Sequence, residues 1–132
     1  MDPTILVVDG DEATCHLIQK LLTPHGYAVT TVGDGDAALT VGAGMRPRLA
    51  IVEVVLPGRD GLRVMRALRQ DDPELPIILM SAVDDVLTRH EEGPDGSNRE
   101  CIPVLVKPFS LVTLLGLVQQ QLPLPNASHP AP

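Results

Sequence analysis

At 132 residues the chain is long enough for one hydrophobic core and short for two, since single cores span roughly 50 to 200 residues. Its 44% hydrophobic and 20% charged residues exclude a disordered chain, and aromatics at 2%, with no Trp, exclude a stacking platform for single-stranded nucleic acid. A formal charge of −7 repels phosphate backbones and anionic lipid surfaces, so direct nucleic-acid binding and membrane association are not expected.

Ile5 to Val8 is an unbroken run of β-favouring apolar residues closed by Asp9 and Gly10, the pattern of a strand covered on both faces. From Glu12 the spacing turns helical, with Ala13, Leu17, Ile18, Leu21 and Leu22 apolar and Asp11 as N-cap, until Pro24 ends the helix. Ala28 to Val32 is a β-branched strand, followed by a short helix from Asp34 to Val41 that Gly42 and Gly44 are expected to stop. Leu49 to Val52 is the third strand, and Leu62 to Arg69 the third helix, with Leu62, Met65 and Leu68 on one face. Ile77 to Met80, after Pro76, is the fourth strand. Asp84 to Glu92 reads as a polar fourth helix that runs into the loop signal Gly93 to Asn98. Val104 to Val106 makes the fifth strand and Ser110 to Gln121 the fifth helix. Residues 123–132 are Pro-rich and read as a tail or linker, which assigns the folded domain to residues 1–122.

Five strands alternating with five helices imply an α/β fold, a single doubly wound five-stranded parallel sheet with helices on both faces, because parallel neighbours need crossover connections. Ligands on such sheets gather beyond the carboxyl ends of the strands. That rule singles out Asp9 to Glu12, Glu53 to Asp60, Ser81 and Lys107. The first residues lack the basic and apolar runs of a signal peptide, and no apolar stretch nears the ~20 residues of a membrane span, so a cytoplasmic location is expected. Cys15 and Cys101 lie in no metal-like spacing and read as small core or edge residues. His16, His25, His90 and His129 also lack ligand spacing.

The motifs at those strand ends are Val7-Val8-Asp9, Glu53 followed by Leu56-Pro57-Gly58-Arg59-Asp60-Gly61, Met80-Ser81-Ala82, and Lys107-Pro108-Phe109. In this order they resemble the response-regulator receiver domain, CheY-like and flavodoxin-like in fold, over about residues 3 to 122. The resemblance implies a place in two-component phosphorelay signalling. There a carboxylate attacks a phosphoryl donor while Mg2+, a hydroxyl and a lysine stabilise the transferring group. It places Asp9 at the first acid of the metal pair, Ser81 at the hydroxyl and Lys107 at the phosphoryl-contacting lysine, with a cis Lys107–Pro108 peptide. Val104 stands at the switch position, where the family often carries an aromatic ring.

Two positions depart from that pattern. Gly10 stands where the second acid of the metal pair belongs, and Glu53 where the phosphoacceptor aspartate belongs. The extra methylene of Glu53 moves the attacking oxygen by roughly 1 Å, and a misplacement of that size can cost about 10²-fold in rate. Loss of an acid also weakens Mg2+, which is commonly held by one or two carboxylates. The resulting expectation is an atypical pseudo-receiver without phosphotransfer, a protein-interaction module and not an enzyme. In it Glu53 extends into the space left by Gly10, reaches Lys107 and imitates part of the charge of a phosphorylated aspartate. Asp9 and Asp11 are assigned to the acidic pocket, Asp11 with a capping role as well. No cofactor is expected and Mg2+ is disfavoured, with Asp9 and Glu53 as the metal candidates and Asp11 as a conceivable replacement ligand. The alternative is a low-efficiency phosphoacceptor served by a histidine kinase and Mg2+.

The expected partners are a signalling protein or a histidine kinase. The last helix has no charged residue from Ser110 to Gln121. At about 100° per residue, Leu111, Leu114, Leu115, Val118 and Leu122 fall on its core side. Val112 and Leu117 point away and become the candidates for a partner interface or a homodimer through this helix.

Overall fold

Each unbroken apolar run of the sequence becomes a strand of one parallel sheet. The computed structural model describes residues 2–57, 60–82, 91–92, 98–100 and 102–124. In chain order these form β1 (Thr4–Val8), α1 (Glu12–Leu22), a 3-10 turn (Thr23–His25), β2 (Ala28–Val32), α2 (Gly35–Met45), β3 (Leu49–Glu53) and α3 (Gly61–Asp71). They continue with β4 (Ile77–Ser81), β5 (Glu91–Glu92), β6 (Asn98–Glu100), β7 (Val104–Val106) and α4 (Leu111–Gln121). The five-stranded sheet has the order β2-β1-β3-β4-β7 and all its pairs are parallel. This is the doubly wound parallel fold that the alternation of strand and helix signals predicts.

Strands β1 and β3 lack polar–apolar alternation because both their faces are covered. Ile5, Val7, Leu49 and Ile51 pack with Cys15, Ile18 and Leu22 of α1 and with Leu114 and Val118 of α4. Leu6, Val8, Ala50 and Val52 pack on the other side with Ala38 of α2 and with Val64, Met65 and Leu68 of α3. Burying each Val, Leu, Ile or Met among them contributes about 1.5–3 kcal/mol. The single tyrosine, Tyr27, is buried, and its hydroxyl donates to the Leu122 carbonyl oxygen at 2.8 Å, which ties the end of α4 to the start of β2.

The helix caps are those expected from local chemistry. Asp11, Asp34, Asp60 and Ser110 each accept a backbone N–H in the first turn of α1, α2, α3 and α4. Pro24 turns the end of α1 into the 3-10 turn, which Gly26 closes at φ 98°.

Four expectations require correction. Gly42 and Gly44 do not end α2, which runs on to Met45 and is capped by Arg46 at φ 51°. Gly42 is a packing residue: a Cβ there would meet Leu68 Cδ2 at 2.6 Å, so its lack of a side chain lets α2 lie close against α3. Glu91–Glu92, the end of the expected polar helix, instead pairs antiparallel with Asn98–Glu100; residues 84–90 of that helix lie outside the described residues. Leu111, expected to face the core, is 37% exposed in the first turn of α4. Leu117, expected to point away, is half-buried against the core, because α4 packs on α1 as well as on the sheet. Val112 is exposed as expected, at 81%.

Candidate functional site

The register of the sheet brings the polar residues together. Val8 lies opposite Val52, Glu53 opposite Met80, and Ser81 opposite Val106, so Asp9, Glu53, Ser81 and Lys107 leave their strands at the same edge. The Lys107 N–H donates to the Ser81 carbonyl oxygen at 2.8 Å, which fixes the backbone from which the lysine side chain starts. The next peptide, Lys107–Pro108, is cis.

From there the ammonium reaches across β4 to the ends of β3 and β1. Lys107 Nζ donates to Glu53 Oε2 at 2.8 Å and lies 2.7 Å from Asp9 Oδ2. The contact with Glu53 is a directed hydrogen bond, whereas that with Asp9 Oδ2 is an ion pair without hydrogen-bond alignment. Asp9 is held from three sides: its Oδ1 accepts the Asp11 N–H at 2.8 Å, its carbonyl accepts the Cys15 thiol at 3.3 Å, and its side chain is fully buried. Glu53 and Lys107 are mostly buried, with side chains 16% and 18% exposed.

The other assigned residues sit as follows. Asp11 is exposed and turned to its own helix, accepting from the Ala13 N–H at 3.2 Å and the Thr14 hydroxyl at 2.7 Å. Those two bonds, the hydroxyl first, hold its carboxyl below the usual range, so it belongs to the cap of α1 and not to the pocket. Gly10 faces Pro57: a Cβ there would stand 3.1 Å from the ring Cδ and 3.3 Å from Cγ. The expectation that Glu53 fills the Gly10 space is therefore corrected, since Glu53 turns to Lys107 and proline lies nearest the glycine. Ser81 is buried at the end of β4, and Val104 is half-buried against the layer of α2 and α3.

Two contributors were not foreseen. Cys15, read as plain core, also supports the Asp9 carbonyl, and burial pushes its thiol up to about 11, which keeps it protonated as a donor. Gly61 lies directly on the Glu53 carbonyl, and any Cβ there would collide with that oxygen. Its place inside the Asp60-Gly61 motif was the available signal.

Residues 5–119 match the family described as Response regulator receiver domain. The chain belongs to this family. Response regulator MprA of Mycobacterium sp. (strain KMS) is 38% identical over 115 residues, which cover 87% of this chain and 48% of that protein. The probable transcriptional regulatory protein TcrX of Mycobacterium tuberculosis is 33% identical over 108 residues, covering 82% of this chain and 44% of that protein. The chain thus spans about half the length of these relatives. Among solved structures, the chemotaxis response regulator CheY4 of Vibrio cholerae superposes with a TM-score of 0.79 at 27% identity, over 92% of this chain and 100% of that one.

Receivers of this family imply a magnesium ion beside the first strand, and the residues present here do not fit it. Gly10 offers no carboxylate, Asp11 is committed to its cap, and the remaining pair, Asp9 and Glu53, both face an ammonium. Among the described residues no group of three or more His, Cys, Asp or Glu side chains is placed to hold a metal ion. None of the receiver's described helices is long and apolar enough to cross a membrane.

Two carboxylates around one ammonium leave a net negative charge in a sheltered place. Burial, followed by the adjoining Asp9 carboxyl, pushes the Glu53 carboxyl up to about 7 against the pull of Lys107. Burial lowers the proton affinity of Lys107, but the close contacts and charges of Asp9 and Glu53 outweigh it and raise the ammonium above its ordinary value. Because the folded receiver binds the Glu53 proton more tightly than the unfolded chain, whose value is near 4.5, this group's stabilising contribution is complete below pH 4.5 and lost as the pH rises to about 7. Partial solvent screening reduces the span to about 1–2 kcal/mol. Urea unfolding at pH 5 and pH 8 is expected to show that decline in the wild type and its loss in Glu53→Gln; equal declines in both proteins would assign the effect elsewhere.

Proposed function

We propose that this receiver is a protein-interaction module of two-component-type signalling that works without phosphorylation. The reading rests on one observation above all: the carboxylate at the phosphoacceptor position, Glu53, is hydrogen-bonded at 2.8 Å to the lysine that would contact the phosphoryl group. A phosphoacceptor needs a carboxylate oxygen open to the donor and a lysine open to the incoming oxygens. Here each is engaged with the other. The directed Glu53–Lys107 contact supplies part of what a phosphoryl group supplies, an anion on the lysine, so the domain presents one state to its partner.

The partner class is a signalling protein or a histidine kinase, bound and not used as a phosphate source, and the domain has no enzymatic turnover of its own. The contact surface we assign is the first turn of α4, where Leu111 and Val112 are exposed on a helix without charged residues. A homodimer through the same turn is the competing occupant. A cytoplasmic location goes with this role.

Incubating the full chain with acetyl phosphate and Mg2+ and measuring its intact mass tests the reading. The expected spectrum has no species heavier by roughly 80 Da, the mass of a transferred phosphoryl group. A stoichiometric adduct mapped to Glu53 would replace the proposal by the low-efficiency phosphoacceptor.

A further inference from the structure

We infer that Gly26 and Tyr27 form a docking site for an extended leucine–proline–leucine segment, which this chain fills with its own Leu122, Pro123 and Leu124. The site lies where β2 starts, at the edge of the sheet opposite to Glu53 and Lys107, and does not depend on what happens there.

The sequence creates the need for such a site. Leu122 precedes Pro123, which disfavours helical backbone at Leu122 and, having no N–H, cannot supply the amide that commonly closes a helix. Helix α4 accordingly stops at Gln121, and Leu122 turns to φ −141°, ψ 72°. Its carbonyl oxygen accepts the Tyr27 hydroxyl at 2.8 Å, from 95 residues away in sequence. Burial pushes the phenol up, so it keeps the proton that it donates. The three residues then alternate as an extended segment does: Leu122 is buried, Pro123 exposed and Leu124 half-buried. Leu124 packs on the same side of the core as Leu22 and Tyr27. Gly26 makes room for it, since a Cβ there would stand 3.0 Å from Leu124 Cδ1. The site therefore selects two leucines, with one carbonyl between them for the phenol and a residue that needs no hydrogen bond of its own. Proline suits that middle place, because its fixed φ lowers the cost of ordering the segment.

The test compares the full chain with its Leu122→Ser/Leu124→Ser and Leu124→Ser variants. The added ligand is the acetylated and amidated peptide Gln-Leu-Pro-Leu-Pro-Asn, the sequence of residues 121–126. Near-ultraviolet circular dichroism reads the site, because the chain has no Trp and Tyr27 is its one tyrosine. The wild type is expected to ignore the peptide, its site being filled. The double variant is expected to lose most of the Tyr27 signal and to melt several degrees lower. The peptide should restore the signal saturably with a Kd on the order of 1 mM, and raise Tm by a few degrees at roughly tenfold excess over Kd. Leu124→Ser, which keeps the Leu122 contact, is expected to move less in the same directions and carries the test if the double variant does not fold. Variants with the wild-type signal and Tm would overturn the inference, as would variants that ignore the peptide or respond equally to Gln-Ser-Pro-Ser-Pro-Asn. A wild type that dimerises with rising concentration, and ceases to in Leu124→Ser, would overturn the assignment of the occupant, since the segment would then fill the site of a second copy.

Discussion

Replacing Lys107 by Met is expected to lower the stability of the receiver by about 3–5 kcal/mol at pH 8 in the absence of divalent ions, and to cost much less near pH 5. The reason is the asymmetry of buried ion pairs: losing one partner leaves the other's charge in a place that solvates it poorly. Here one ammonium serves two carboxylates, one with a fully buried side chain and the other only 16% exposed. At pH 8 both would be left facing each other. At pH 5 a proton on Glu53, already held up to about 7 in the wild type, takes over much of the ammonium's role. Urea unfolding at pH 5, 6.5 and 8 reads this directly. A loss of equal size at all three values would mean that Lys107 acts through the packing of its methylene stem and not through its charge.

Gly61→Ala is expected to cost about 3 kcal/mol, although it adds a single methyl group at the start of an otherwise well-capped helix. The Cβ would collide with the Glu53 carbonyl oxygen and approach Glu53 C and Val54 Cα at 2.9 Å, all backbone atoms that cannot rotate aside. Overpacking of this kind costs about 1–3 kcal/mol, and the Gly61 N–H to Val54 carbonyl bond of 2.9 Å would be stretched with it. Gly44→Ala is the built-in control, because nothing lies within 4 Å of that Cβ and the residue is inside α2. It is expected to be neutral or to stabilise by up to ~1 kcal/mol. Denaturant midpoints of the two variants should therefore move in opposite directions, and a Gly61→Ala loss below about 1 kcal/mol would show that the β3–α3 connection yields. Gly61→Ala also displaces Glu53, so the pH dependence described above should weaken with it.

The parts of the molecule legible in the sequence are those set by near neighbours. Ile5 to Val8 reads as a doubly covered strand because every residue of the run is apolar, and each is indeed fully buried. Asp11, Asp34 and Ser110 read as helix starts because a short polar side chain before a helix accepts its first free N–H groups. Gly42 escapes such a reading for the complementary reason. A glycine inside a helical pattern is a stop signal locally, and only Leu68 of the neighbouring helix makes it a contact. Leu117 escapes it likewise, since a helical wheel shows one core-facing side and α4 has two neighbours, the sheet and α1.

By itself the sequence determined the α/β class and the parallel sheet, both of which depend on residue type and short spacing. Only the tertiary structure decided where Glu53 points. Glu53 and Lys107 are 54 residues apart, and they meet because β3, β4 and β7 end in register at one edge of the sheet. Likewise only the folded chain shows Asp11 turned to its helix and Pro57 lying against Gly10. Side-chain direction at such an edge follows from the packing of several elements at once, which no local pattern of residues encodes.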